Sequence, residues 1–134
     1  MATDATQTEP PEAYTALLDE IKRYNAVESA TEVLSWDQQV MMPEGGTPAR
    51  STQLSTLSSI SHDLLVDEDI GRYLEELDDA SLTPQQQAVV REIRREYVRA
   101  ARVPRDLIEE ISTATTEALG AWESAREHDA FEEF

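Results

Sequence analysis

An all-α fold of about five helices, arranged as antiparallel hairpins or a bundle and opened by one long N-terminal helix, is predicted by three features of this chain. Apolar residues recur at helical spacing through most of its 134 residues. Two Thr-Pro pairs, Thr47-Pro48 and Thr83-Pro84, have the form of helix starts, a capping hydroxyl before a proline whose missing N–H would find no partner in the first turn. No stretch alternates apolar and polar residues over a useful length, so no sheet is expected.

The elements follow in order. Residues 1–11 form a polar, Thr-rich lead-in expected to be disordered, and residues 12–134 form the helical region. Pro10-Pro11 can open the first helix, whose apolar positions run Tyr14, Leu17, Leu18, Ile21, then Ala26, Ala30, Val33, Leu34, Val40 and Met41. Nothing breaks that helix before Pro43 and the Gly45-Gly46 pair. A second helix, capped by Thr47, should run to about Leu65 with Leu54, Leu57, Ile60 or Ser61, and Leu64 facing inward. Its serines, from Ser51 to Ser61, lack a nearby base and read as a polar face. A short acidic helix over Asp67 to Leu77 carries Ile70, Tyr73, Leu74 and Leu77. Thr83 and Gln86 have capping-box spacing for a fourth helix, with Val90, Ile93, Tyr97 and Ala100 or Ala101 on one side and Arg91, Arg94, Arg95, Arg99 and Arg102 on the other. Pro104 starts a fifth helix ending near His128, with Leu107, Ile108, Ile111, Ala118, Leu119, Trp122 and Ala125 inward. The short gaps between helices suit antiparallel neighbours.

Composition bounds the partners. Twenty-eight acidic residues against 11 basic ones give a formal charge of -17, which repels nucleic-acid phosphates and anionic lipid. No segment approaches the ~18 consecutive apolar residues of a membrane span, and residues 1–11 lack the basic start and apolar run of a signal peptide, so a cytoplasmic protein is expected. Cysteine is absent, which removes disulfides and thiolate metal sites. Lys22 is the single lysine, and an acidic, lysine-poor surface is what a salt-rich cytoplasm would select, because salt screens self-repulsion. The composition therefore points to a halophilic source, and an ordinary acidic soluble protein is the other reading.

Few residues suggest chemistry. Asp37 lies on the same stripe as Val33 and Leu34, so its charge needs a partner, and Arg50 in the first turn of the next helix is the candidate across the Pro43–Thr47 turn. An Asp37–Arg50 ion pair fixing the helix register is expected. Trp36 and Trp122 read as large side chains packed between helices, or as the wall of a peptide-binding groove, with core packing preferred for Trp122. The two histidines, His62 and His128, stand in different helices with no ligand partner at helical spacing, and each falls near a helix end, where capping suits it better than metal ligation. Glu-x-x-His pairs are absent, because Ser59 and Ala125 precede the histidines by three. The acidic run Glu75-Glu76 and Asp78-Asp79 reads as solvated surface. No catalytic, cofactor-binding or metal-binding residue is assigned.

Two blocks carry a resemblance. One runs Val33-Leu34-Ser35-Trp36-Asp37 through Met42-Pro43 and Gly45-Gly46 to Arg50 and Gln53; the other runs Val103-Pro104-Arg105-Asp106-Leu107-Ile108 through Ser112, Thr116 and Ala121-Trp122 to Ala125–Phe131. In that order they resemble the N-terminal helices of the thermostable carboxypeptidase (carboxypeptidase Taq) family of zinc metallopeptidases. The resemblance implies an all-α enzyme that removes C-terminal amino acids from peptides, with zinc held by a His-Glu-x-x-His pair and a further Glu. That motif occurs nowhere in this sequence, so none of those roles carries over to a residue here. The resemblance further implies that these helices form a wall or lid over the substrate groove, and that a downstream catalytic part, with peptide as substrate, completes the protein. The abrupt end at Phe131–Phe134 is read as a cut. A stand-alone helical module that binds a partner or self-associates is the alternative, and exposure of a face meant to be covered predicts a homo-oligomer.

The charge reading has a direct check. Unfolding by urea is expected to need more denaturant as KCl rises from low to molar concentration; stability flat across that range identifies an ordinary acidic protein.

Overall fold

The structure, a computed structural model, describes residues 9–132. Among the described residues there are five helices, α1 (Glu12–Val40), α2 (Thr47–Leu65), α3 (Glu68–Glu76), α4 (Pro84–Ala100) and α5 (Arg105–His128), and no strand. The lead-in expected to be disordered lies outside the described residues over 1–8, and Pro11 stands at the N-cap of α1.

The long first helix is a single unbroken rod of 29 residues, and its two halves face different surroundings. The first half supplies Tyr14 and Leu17 to an apolar cluster with Ile70, Leu74, Leu77 and Val90 of the α3–α4 region. Leu17 and Ile70 are fully buried, so this cluster is where burial of apolar area, at about 25 cal/mol per Å², contributes most. The inward positions expected on α3 are the ones observed. Asp67 caps that helix by accepting from the Asp69 N–H, and Thr83 with Gln86 forms the reciprocal capping box at α4. Arg94 departs from the arginine side expected of α4. It is half-buried, with its guanidinium donating to the Leu74 carbonyl and to Asp78 Oδ1 at 2.7 Å, which ties α4 to the end of α3.

The second half of α1 packs on α2, and α2 packs on α5, through a seam that differs from expectation in three places. On α1 the side chains turned inward are Gln38, buried, with Thr31, Leu34 and Ser35, while Val33, Val40 and Met41 are exposed. On α2 the buried set is Arg50, Ser51, Leu54, Ser59, Ser61 and Leu65, whereas Ile60 is exposed; the serines read as a polar face are interior. On α5 Ile108, Ser112, Thr116 and Leu119 turn inward and Ala125 is buried as expected, while the stripe of Leu107, Ile111, Ala118 and Trp122 is exposed. One cause accounts for all three. Small hydroxyl side chains let helix axes approach closely and satisfy each other in place, as Ser58 Oγ does with Ser112 Oγ at 3.2 Å, so the seam selects size over hydropathy.

Thr47 is not an N-cap. Helix α2 begins at Thr47 with Gly46 as its cap and no side-chain capping bond, because Gly46 already takes helical angles and its carbonyl accepts from the Arg50 N–H. The turn before it needs glycine at Gly45, where φ is +81°.

Replacing Thr83 by Ala removes the capping-box acceptor and is expected to lower stability by about 1 kcal/mol. A urea midpoint shift with unchanged slope would measure it, and an unshifted midpoint would show that the α4 start contributes nothing.

Candidate functional site

The α1–α2 turn and the C-terminal half of α5 enclose the region where both sequence blocks meet. Helix α1 stops at Val40 because Pro43 and Gly45 cannot continue it, and the carbonyl of Asp37 then accepts from both the Met41 and Met42 N–H groups. That ending leaves Asp37 one turn from the helix end, aimed at α2. Arg50 enters from the first turn of α2 and is almost wholly buried; each arm of its guanidinium is used. Its Nη2 donates to Asp37 Oδ2 at 2.6 Å, its Nε to Gln53 Oε1 at 3.0 Å, and its Nη1 to the Leu34 carbonyl. The pair expected between Asp37 and Arg50 is present, and the two further acceptors were not foreseen. Only the planar, five-donor guanidinium serves three such directions at once.

Beside this pair Gln38 is buried and donates from Nε2 to the Thr116 carbonyl of α5. Gly120 explains how α5 comes so close: a β-carbon there would lie 3.2 Å from Thr47 Cγ2. Below the contact opens a cavity of about 420 Å³, walled by Gln38, Met42 and Gly45 on one side and Gly120, Glu123 and His128 on the other. The His128 Nδ1 faces the Ser124 carbonyl at 2.9 Å. Farther along α2, Ser61 hydrogen-bonds Glu28, and burial, then the Glu28 and Glu96 carboxylates, raise the nearby Tyr24 phenol above its ordinary pKa against a lowering bond to Ser61. Arg105 at the start of α5 ties back to Ser59 and to Asp63, the latter at 2.9 Å.

The tryptophans sit otherwise than expected. Trp36 is 59% exposed, on the far side of α1 from Gln38, and packs between no helices. Trp122 is 37% exposed, with the Arg126 guanidinium 5.0 Å over its ring. Sequence reading missed Gln38, Gly120 and the buried serines. A lone glycine inside a helical pattern, as at Gly120, and the three-four spacing of Ser51, Leu54, Ser58, Ser61 and Leu65 are the signals that mark them.

Among the described residues no group of three or more His, Cys, Asp or Glu side chains could hold a metal ion. The donor set a catalytic zinc requires does not fit these residues: one histidine is engaged at a helix end and the other stands in a different helix.

Asp37→Ala is expected to cost about 1–3 kcal/mol, since it strands part of a buried guanidinium. Adding Arg50→Met should restore part of the loss, measured as a positive coupling in a double-mutant cycle of urea midpoints; strictly additive losses would show that the pair does not act as one unit.

The sequence pattern of the carboxypeptidase Taq (M32) metallopeptidases matches residues 16–134. Thermostable carboxypeptidase 1 of Thermus thermophilus is 33% identical over 129 residues, covering 93% of this chain and 25% of the relative. Thermostable carboxypeptidase 1 of Pyrococcus furiosus is 33% identical over 119 residues, covering 88% of this chain and 24% of the relative. The crystal structure of BsuCP superposes with a TM-score of 0.82 at 21% identity over 90% of this chain and 25% of that one, which supports the all-α fold. The chain thus spans about a quarter of the length of the curated relatives it matches. With nearly its whole helical length inside the match, the chain belongs to the carboxypeptidase Taq (M32) metallopeptidase family.

Proposed function

We propose that this chain is the N-terminal helical part, residues 12–134, of a metallocarboxypeptidase that releases C-terminal amino acids from peptides, and that it walls or covers the substrate groove without supplying the metal site. The family match over residues 16–134, to relatives about four times as long, carries the reading. In that larger protein a zinc ion would be held by residues outside this chain. The exposed face of Trp36, Val33 and Val40 on α1 supports a lining role, since an aromatic ring open to solvent offers a peptide side chain a flat apolar contact. Asp37 and Arg50 hold that face in register and take no part in chemistry.

A cytoplasmic, halophilic setting belongs to the same proposal. It is supported by the formal charge of -17 and, among the described residues, by the lack of any helix long and apolar enough to cross a membrane. A second reading, a stand-alone module that self-associates without enzymatic activity, draws on the outward apolar side chains of α1 and α5; under the first reading, homo-oligomers of the chain produced alone are expected through the α1 face of Val33, Trp36 and Val40.

The test compares residues 1–134 with the longer polypeptide encoded by the same reading frame. Stoichiometric zinc and carboxypeptidase activity are expected in the longer protein and neither in the shorter; no carboxypeptidase activity in the longer one would leave the module reading. Within an active longer protein, Trp36→Ala should raise KM for a peptide substrate about tenfold, the equivalent of roughly 1.4 kcal/mol of lost contact, with kcat retained. An unchanged KM would remove Trp36 from the groove.

A further inference from the structure

The fifth helix turns its largest apolar side chains outward. Helix α5 meets α2 through Ser112, Thr116 and Gly120, and its large apolar side chains Leu107, Ile111 and Trp122 lie with Ala118 off that contact, 43%, 52% and 37% exposed respectively, with Ile111 at the rim of the groove beside Leu54 and Ser58 of α2. Their spacing of four, seven and four residues makes a continuous stripe along the helix, about the length of four turns. A helix in a two-layer arrangement turns its apolar side to the core, so a helix with small polar contacts on one side and an unbroken apolar stripe on the other is built to be covered on both.

We propose that the apolar stripe of α5 is a docking surface for polypeptide that continues beyond Phe134 in the full-length protein, so that α5 becomes the middle layer between α2 and the downstream part. This rests on the function proposed above. Two observations select that occupant over a second copy. About three quarters of each curated relative lies outside the matched region, which supplies ample chain to cover a helix face. The stripe is flanked by Asp106, Glu110 and Glu117, so two copies meeting stripe to stripe would set these carboxylates against each other on chains already carrying -17 each. A tethered segment meets the stripe at high effective concentration and needs no such approach of like charges. Helix α5 is stopped by Asp129 at φ 50°, with the Ala130 N–H bonded to the Ala125 carbonyl at 2.9 Å, so the chain that follows departs from the helix axis.

Residues 1–134 hold no cysteine, so a thiol introduced among them has no native competitor in this part of the protein. Ala118→Cys places a thiol on the stripe and Glu117→Cys places one on the adjacent carboxylate side; both are exposed positions. Maleimide labelling of each is followed by peptide mass spectrometry in residues 1–134 and in the full-length protein, with circular dichroism verifying that the variants fold alike. The expected result is rapid labelling of both thiols in the short chain, and in the full-length protein a slowing of at least about tenfold at position 118 with little change at 117. Equal rates at 118 in both lengths would overturn the proposal, as would protection of 118 in the short chain that grows with its concentration, which assigns the stripe to a second copy. Carboxypeptidase activity of the full-length protein is assayed alongside: its loss bears on the proposed function, and the labelling contrast bears on the docking surface alone.

Discussion

The guanidinium of Arg50 sets the geometry of the lower half of the molecule. It is buried between α1 and α2, and a buried cation is tolerated only when every direction it points holds an acceptor. Asp37 supplies the charge, the Leu34 carbonyl and Gln53 the remaining acceptors, and those three groups are in reach only at one rotation of α1 about its axis. That rotation turns Gln38 toward α5 and sends Trp36 to the far side. Exposure of Trp36, Val33 and Val40 is therefore the other face of satisfying one arginine, not an isolated irregularity.

The two ends of the molecule are held by different physics. Around the first half of α1, burial of Leu17, Ile70 and Leu74 in a cluster free of charged groups provides ordinary apolar cohesion. Along α2 the interior sets hydroxyls, an amide and a guanidinium among Leu54 and Leu65, with polar groups tied to specific neighbours, such as Ser58 to Ser112 and Gln38 to the Thr116 carbonyl. The first kind of contact is indifferent to exact geometry. The second rewards one arrangement and penalises its neighbours, because a displaced hydroxyl or amide loses its partner. Surface ion pairs such as Lys22 with Asp19 add little to either, being exposed and separated by a single helical turn.

Helix boundaries, the capping box at Thr83, the apolar cluster and the Asp37–Arg50 pairing were legible because each follows from a local rule: proline and glycine end helices, Thr and Gln three apart cap them, and a carboxylate on an apolar stripe calls for a cation. The facing of α2 and α5 was not. Hydropathy places Leu107, Ile111 and Trp122 inside and leaves Ile60 and Ser61 as alternatives, and the folded chain places Ser51, Ser59 and Thr116 there and chooses Ser61. Amphipathic patterning assumes that the side richer in carbon seeks the nearest neighbour; it carries no information about how many neighbours a helix has, and a helix meant for two of them defeats it. Thr47 was misplaced by one position for a related reason, since glycine before it can take helical angles as easily as an extended cap.

The hydroxyl seam between α2 and α5 also divides the molecule in time. Ser and Thr side chains released from one another can be taken up at once by water, so separating these two rods forfeits less than prising Ile70 from Leu17. Between these two contacts the seam is the one that opens more readily, and the amides along it are expected to exchange with solvent ahead of those in the apolar cluster.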